Sequence, residues 1–182
     1  MKSPVTILLR NLASSRRLML DSVRDLSAAE LAGRPSPVLR SCVRRLGTAA
    51  LADREVLRLL GTVNLPDLPA GFEARFARWE TGGNGETSRY VTSLPEIFAS
   101  HRNALVRATA SLDAASLDEP VGPPDHLDSE GLFEFGTVGE MILAASAYTS
   151  SLAGEVSIIR VALGKVPVHD PFDASAAVAP WG

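Results

Sequence analysis

Residues 137–164 read TVGEMILAASAYTSSLAGEVSIIRVALG, and this stretch decides the fold. It opens on Thr137, with Glu140 three residues later. In that order a hydroxyl and a carboxylate satisfy N–H groups that a helix start leaves without partners. It closes on Gly164, a residue that suits a helix C-terminus because it has no Cβ. Between them Val138, Met141, Ala145, Tyr148, Leu152, Val156, Ile159 and Leu163 recur at steps of three and four. The pattern predicts one long helix ending at Leu163, with a single face to hide.

Three more segments carry the same signal. A first long helix is predicted over 3–26, with Pro4 in its first turn and Val5, Leu8, Leu12, Met19, Val23 and Leu26 inward. Ser15 is the polar exception on that stripe. Ser27 and Glu30 form another capping-box pair, and Gly33 to Pro37 breaks the chain. A second long helix is predicted over 36–60, with Pro37 at its first position and Gly61 as its C-terminal cap. Its stripe is Leu39, Val43, Leu46, Ala50, Asp53, Leu57 and Leu60, on which Ala50 is small and Asp53 charged. The third long helix starts at Ser93-Leu-Pro-Glu96, read as N-cap, first-turn proline and capping-box glutamate. Leu94, Phe98, His101, Leu105, Thr109 and Leu112 mark its inner stripe.

The connections differ in character. Residues 62–92 hold Pro66, Pro69, a short amphipathic pattern over 71–80 (Phe72, Phe76, Trp79) and the glycine-rich run 82–85. No phosphate-loop lysine follows those glycines. Residues 113–136 are rich in Pro, Gly and Asp. Residues 165–182 read as an extended tail, whose Phe172 and Trp181 are candidates to dock on the helices or on a second subunit. Alternating strand patterns are nearly absent. The expectation is all-α: a four-helix bundle over 1–164, a long connection between helices two and three, and a C-terminal tail over 165–182.

Composition narrows the function classes. The chain has 182 residues, 46% hydrophobic and 21% charged, which suits one domain with a sizeable core. The net charge of −3 predicts no grip on nucleic acid, which usually needs a basic face. Arg16–Arg17 and Arg44–Arg45 read as solvated helix faces. The single cysteine, Cys42, rules out an internal disulfide and fits a reducing cytoplasm; a plain buried thiol is the leading reading of it over a reactive one. No uninterrupted apolar run reaches about 18 residues, so no membrane helix is expected, and the short stretch Val5 to Leu9 is too brief for a signal peptide.

Three motifs, in order along the chain, carry a family likeness. They are Ala50-Leu-Ala-Asp-Arg-Glu55, then Tyr90 before the Ser93 helix start, then Thr137-Val-Gly-Glu140 leading to Leu152-Ala-Gly-Glu-Val156 and Ile159-Arg160. The chain resembles the DinB-like (DinB/YfiT-like) four-helix bundles of bacteria. That resemblance implies a divalent metal held by three histidines, one from helix two and two from helix four. It also implies metal-dependent thiol-transferase or hydrolase chemistry. The sequence departs from the pattern at every ligand: Ala50 stands at the helix-two position, Tyr148 and Leu152 at the helix-four positions. Moving the first match to Thr48 restores nothing. The three histidines, His101, His126 and His169, fall on helix three, a connection and the tail, without ligand spacing. No metal and no cofactor are therefore expected, and the scaffold is expected to form a homodimer.

Individual residues keep two readings each. Asp53 is either a pocket base or a boundary carboxylate paired with an arginine or a helix N–H. Tyr148 either offers its hydroxyl to a ligand or fills the vacated metal space. Glu155, one turn beyond Leu152, faces the same centre or flanks it. His101 alone among the histidines approaches the helix centre, as a core residue before a functional one. Trp79 and the nearby phenylalanines read as packing anchors. The leading expectation is a small-ligand-binding or structural and interaction module. Its competitor is a metal-independent thiol-dependent transferase or hydrolase using Asp53, Tyr148, Glu155 or His101 in the inter-helix cleft. A packed centre favours the module, and an open cavity with Tyr148 and Asp53 pointing into it favours ligand binding or catalysis.

Overall fold

The computed structural model describes residues 3–36, 38–76, 88–122 and 135–168. Among these the secondary structure is helical: α1 Pro4–Val23, α2 Ala28–Ala32, α3 Cys42–Leu59, α4 Phe72–Phe76, α5 Leu94–Ala110, α6 Ala114–Leu117 and α7 Val138–Ala162. Strand geometry is limited among the described residues to one isolated bridge, Pro120 with Thr137. The all-α expectation therefore holds.

Local chemistry explains most boundaries. Thr137 and Glu140 form the reciprocal capping box at the start of α7, and Ser27 and Glu30 form one at α2. Both C-terminal glycines close their helices. Gly61 and Gly164 have φ of 70° and 75°, and the residues after them, Thr62 and Lys165, donate back to the carbonyls of Leu57 and Arg160. Two boundaries depart from expectation. α3 begins at Cys42, with Ser41 as its N-cap accepting from the Arg44 N–H, and not at Ser36. The Ser41 cap starts the helix later, and Pro37 lies outside the described residues. At α5, Ser93 sits in the helical region of backbone space and makes no side-chain cap. Its hydroxyl donates instead to the Tyr90 carbonyl at 3.3 Å, because a 3-10 turn at Ser88–Tyr90 already leads the chain into the helix.

Packing follows the stripes. α1 packs against α5 and α7, and α3 packs against the same two. Met19 and Val23 late in α1 share a cluster with Val43 and Leu46 early in α3, Leu94 and Phe98 early in α5, and Leu152, Val156 and Ile159 late in α7. The opposite ends form a second cluster, with Leu8, Leu12, Leu57, Leu105, Met141 and Ile142. So α1 and α7 run one way, and α3 and α5 run the other. Two successive parallel helices need the chain to travel back along their length between them. The connection after α3 does this, and α4 lays Phe72 and Phe76 on the first cluster beside Tyr90, with ring centroids 4.4 to 5.8 Å apart. Gly47 on α3 makes room for Phe76: a Cβ there would overlap the ring.

α7 is long and apolar enough, by length and composition alone, to cross a membrane. Its inner face is buried against α1 and α3. Trp79, Phe172 and Trp181 lie outside the described residues, as do the glycine run 82–85 and the tail beyond Val168.

Candidate functional site

The positions where the resemblance places metal ligands lie in or against one large apolar cluster. Ala50 on α3 and Leu152 on α7 are buried in one cluster, and half-buried Tyr148 packs against it. Their chemistry does not suit a metal. Alanine and leucine have no lone pair to donate, which leaves the Tyr148 oxygen alone where an open site takes three protein ligands. Among the described residues no group of three His, Cys, Asp or Glu side chains is placed to hold an ion. His126 and His169 lie outside the described residues. Burial raises the Tyr148 hydroxyl pKa, against the pull of Arg45, Arg40 and Arg44 on the facing segment. Glu155 is half-buried and forms an ion pair with Arg45 of α3, so it braces α7 against α3.

Asp53 has a different setting. It is 0% exposed, as is Arg102 of α5. Arg102 donates from Nε to Asp53 Oδ2 at 2.7 Å and from Nη2 to Asp53 Oδ1 at 2.8 Å. The same guanidinium reaches Ser15 Oγ of α1 at 2.8 Å, and Thr149 Oγ1 and the Ala145 carbonyl of α7. The Ser15 hydroxyl passes on to the Leu12 carbonyl at 3.2 Å. Each of the four long helices thus contributes to one buried polar layer between the two apolar clusters. Burial pushes the Asp53 carboxyl above the ordinary range, to about 6, while the Arg102 charge and hydrogen bonds oppose that rise. Both carboxylate oxygens are engaged in a bidentate fork. Asp53 has no oxygen turned to an open cleft, and this arrangement binds helices together.

His101 belongs to a third setting. It is 0% exposed. Its Nδ1–H donates to the Ile97 carbonyl at 2.9 Å, which leaves Nε2 to accept from Arg54 Nη1 at 3.4 Å. Burial first, and the Arg54 charge with it, lowers the His101 pKa and favours the neutral ring. Arg54 also donates to the Pro66 carbonyl at 2.6 Å and to Glu73 at 2.9 Å. Arg58 reaches the same Glu73 carboxylate. This network ties the connection between α3 and α5 onto the helices. A recess of about 470 Å³ lies elsewhere, among Leu20, Val23, Leu31, Val91 and Pro95.

Arg102, Thr149 and Arg54 were not among the residues singled out from sequence. Arg102 had a legible signal: it follows Leu94 and Phe98 at steps of four, and an inward carboxylate such as Asp53 requires a cation. In comparison with known proteins, no family model, curated protein or solved structure matches the chain.

Proposed function

We propose that the chain is a DinB-like four-helix bundle without metal-dependent activity, acting as a structural and interaction module. The observation that carries this reading is the bidentate Asp53–Arg102 pair, which fills the centre between α3 and α5 and reaches Ser15 and Thr149 on the other two helices. The up-down-down-up order of α1, α3, α5 and α7 supports the bundle assignment. Ala50, Tyr148 and Leu152 in one packed cluster support a refilled metal position. Residues that a thiol-dependent transferase or hydrolase would use are already engaged: Asp53 by Arg102, Glu155 by Arg45, and His101 by Ile97 and Arg54. The test is elemental analysis of protein incubated with zinc, nickel and iron and then desalted, paired with a thermal-shift screen of small thiols. Substoichiometric metal and no thiol shift are expected. Stoichiometric metal, or a large shift with a thiol, would sink the proposal.

A further inference from the structure

The chain between α3 and α4 has no helix of its own over residues 62–71, yet it is held against both α3 and α5. Leu68 packs on the first apolar cluster and Leu65 on the second, so the segment straps the junction of the two. One side chain holds its middle. Arg54 of α3 donates from Nη1 to the Pro66 carbonyl at 2.6 Å and to His101 Nε2 of α5 at 3.4 Å, and from Nε to Glu73 of α4 at 2.9 Å. A guanidinium has donors and no acceptor. The grip therefore requires a bare Nε2 on His101. The ring supplies one, because its proton sits on Nδ1 and is given to the Ile97 carbonyl at 2.9 Å.

We infer that His101 is the catch of an acid-sensitive strap: a proton on its Nε2 displaces Arg54 and loosens residues 65–73 from the junction of α3 and α5. The proton adds a donor where Arg54 already presents one, and a positive charge beside another. His101 is fully buried and the Arg54 side chain is 17% exposed, so water screens the repulsion poorly. The Pro66 carbonyl lies within reach of the new N–H, and ring and guanidinium then compete for it.

The other charges nearby do not relieve this conflict. Glu73 of α4 already serves both Arg54 and Arg58, and Asp53 of α3 is closed in its fork with Arg102. Among the described residues no charged group of α1, the other long helix against α5, acts on the ring. Burial lowers the pKa of the held ring, whereas a ring freed into water titrates near 6.5. The held state is therefore fully favoured above about pH 6.5 and loses ground as the pH falls. Ties independent of His101 keep the loosened segment close: Arg58 to Glu73, Arg44 to the Arg75 carbonyl, and Tyr90 Oη to the Ala70 carbonyl at 3.0 Å. The change is local and reversible. Arg54 and His101 are the chain neighbours of Asp53 and Arg102, so a loosened strap brings water to the edge of the buried fork.

The experiment is hydrogen–deuterium exchange on the full chain from about pH 7.5 to about 4.5, corrected for the intrinsic pH dependence of exchange, beside an NMR titration of the His101 ring nitrogens. The Phe72 and Arg75 amides, bonded to the Pro69 and Gly71 carbonyls, report the strap, and the amides of α5 report the bundle. Strap protection should fall by about tenfold per pH unit below about 6.5, the slope of one linked proton, and should track the ring while α5 stays protected. His101→Gln, whose side-chain oxygen accepts from Arg54 but takes up no proton, should keep the strap protected to the lowest pH. Should glutamine unsettle the fold, the match between ring titration and strap opening in the wild type decides. Strap protection that ignores pH, that falls equally in His101→Gln, that departs from the ring titration, or that falls only together with α5 would overturn the inference.

Discussion

Arg102 grips Asp53 through two hydrogen bonds of 2.7 and 2.8 Å at a depth where neither side chain reaches solvent. Removing one partner leaves a buried charge without its counterpart, which costs about 3–5 kcal/mol, whereas replacing both with apolar groups is often neutral or stabilising. Asp53→Asn and Arg102→Met should each lower unfolding stability on that scale. The double variant Asp53→Leu/Arg102→Met should cost much less than the sum. A double-mutant cycle from urea titrations reads the coupling directly, and simple additivity would refute it.

Asp25 and Arg160 make a second fork, with Oδ1 at 2.5 Å and Oδ2 at 3.2 Å from the guanidinium nitrogens. The hydrogen bond from Arg160 holds the Asp25 carboxyl down at about 2 in the folded chain. The folded pKa lies below the unfolded one, so the contribution to stability is complete above about pH 4 and is lost as the pH falls towards 2. Asp25 is 52% exposed, so solvent screening keeps that contribution small. Carbon-detected NMR titration should place the Asp25 midpoint near 2 in wild type and return it towards its ordinary value in Arg160→Met. An unchanged midpoint would show that the fork does not form.

Two glycines in long helices should respond oppositely to alanine. At Gly47 the new methyl overlaps the ring of Phe76, which is buried and cannot swing aside freely. Overpacking of this kind costs about 1–3 kcal/mol. At Gly154 nothing among the described residues lies within reach, and Gly154→Ala should stabilise the protein by about 0.5–1 kcal/mol. Thermal melts of the two variants, at low concentration, decide whether the signs differ.

Burial pushes the Cys42 thiol up to about 11. An unfolded chain loses that proton sooner than the folded one, so stability should fall as the pH rises from about 9 towards 11. Cys42→Ala should flatten this alkaline limb. The native thiol should also resist a disulfide reagent at pH 8 until denaturant is added. Rapid labelling of the folded chain would contradict the buried setting.

How much of this was legible in the sequence depended on the range of the interaction. Thr137–Glu140, Ser27–Glu30, Gly61 and Gly164 act within one helical turn, and the structure forms each of them as read. Ser93–Glu96 has the same letters but follows a 3-10 turn that places Ser93 in helical geometry, so the box does not close. α3 was expected to start at Ser36 with Pro37 in its first position, and it starts at Cys42 behind a Ser41 cap. At the candidate site, the inward stripes of two helices already placed Ala50, Tyr148 and Leu152 toward the core, where they lie in or against one cluster. An arginine partner for Asp53 was one of two readings, but which arginine was not fixed, because the fork joins residues 49 positions apart and depends on which way α5 runs beside α3. His101, read first as a satisfied core residue, is one: it is buried and its ring is held by Ile97 and by Arg54, which also holds the long connection.

The polar layer also sets the alignment of the helices along their length. A stripe of aliphatic residues repeats nearly every turn, so an apolar helix can slide by one turn and still find apolar neighbours. Such a slip moves the chain by about 5.4 Å and would carry Arg102 out of reach of Asp53, Ser15 and Thr149 together. Misaligned arrangements keep much of their hydrophobic burial but strand a charge in hydrocarbon. One arginine on α5, bonded to all three other long helices, thereby works as an index mark that singles out one alignment among several that oiliness alone would accept.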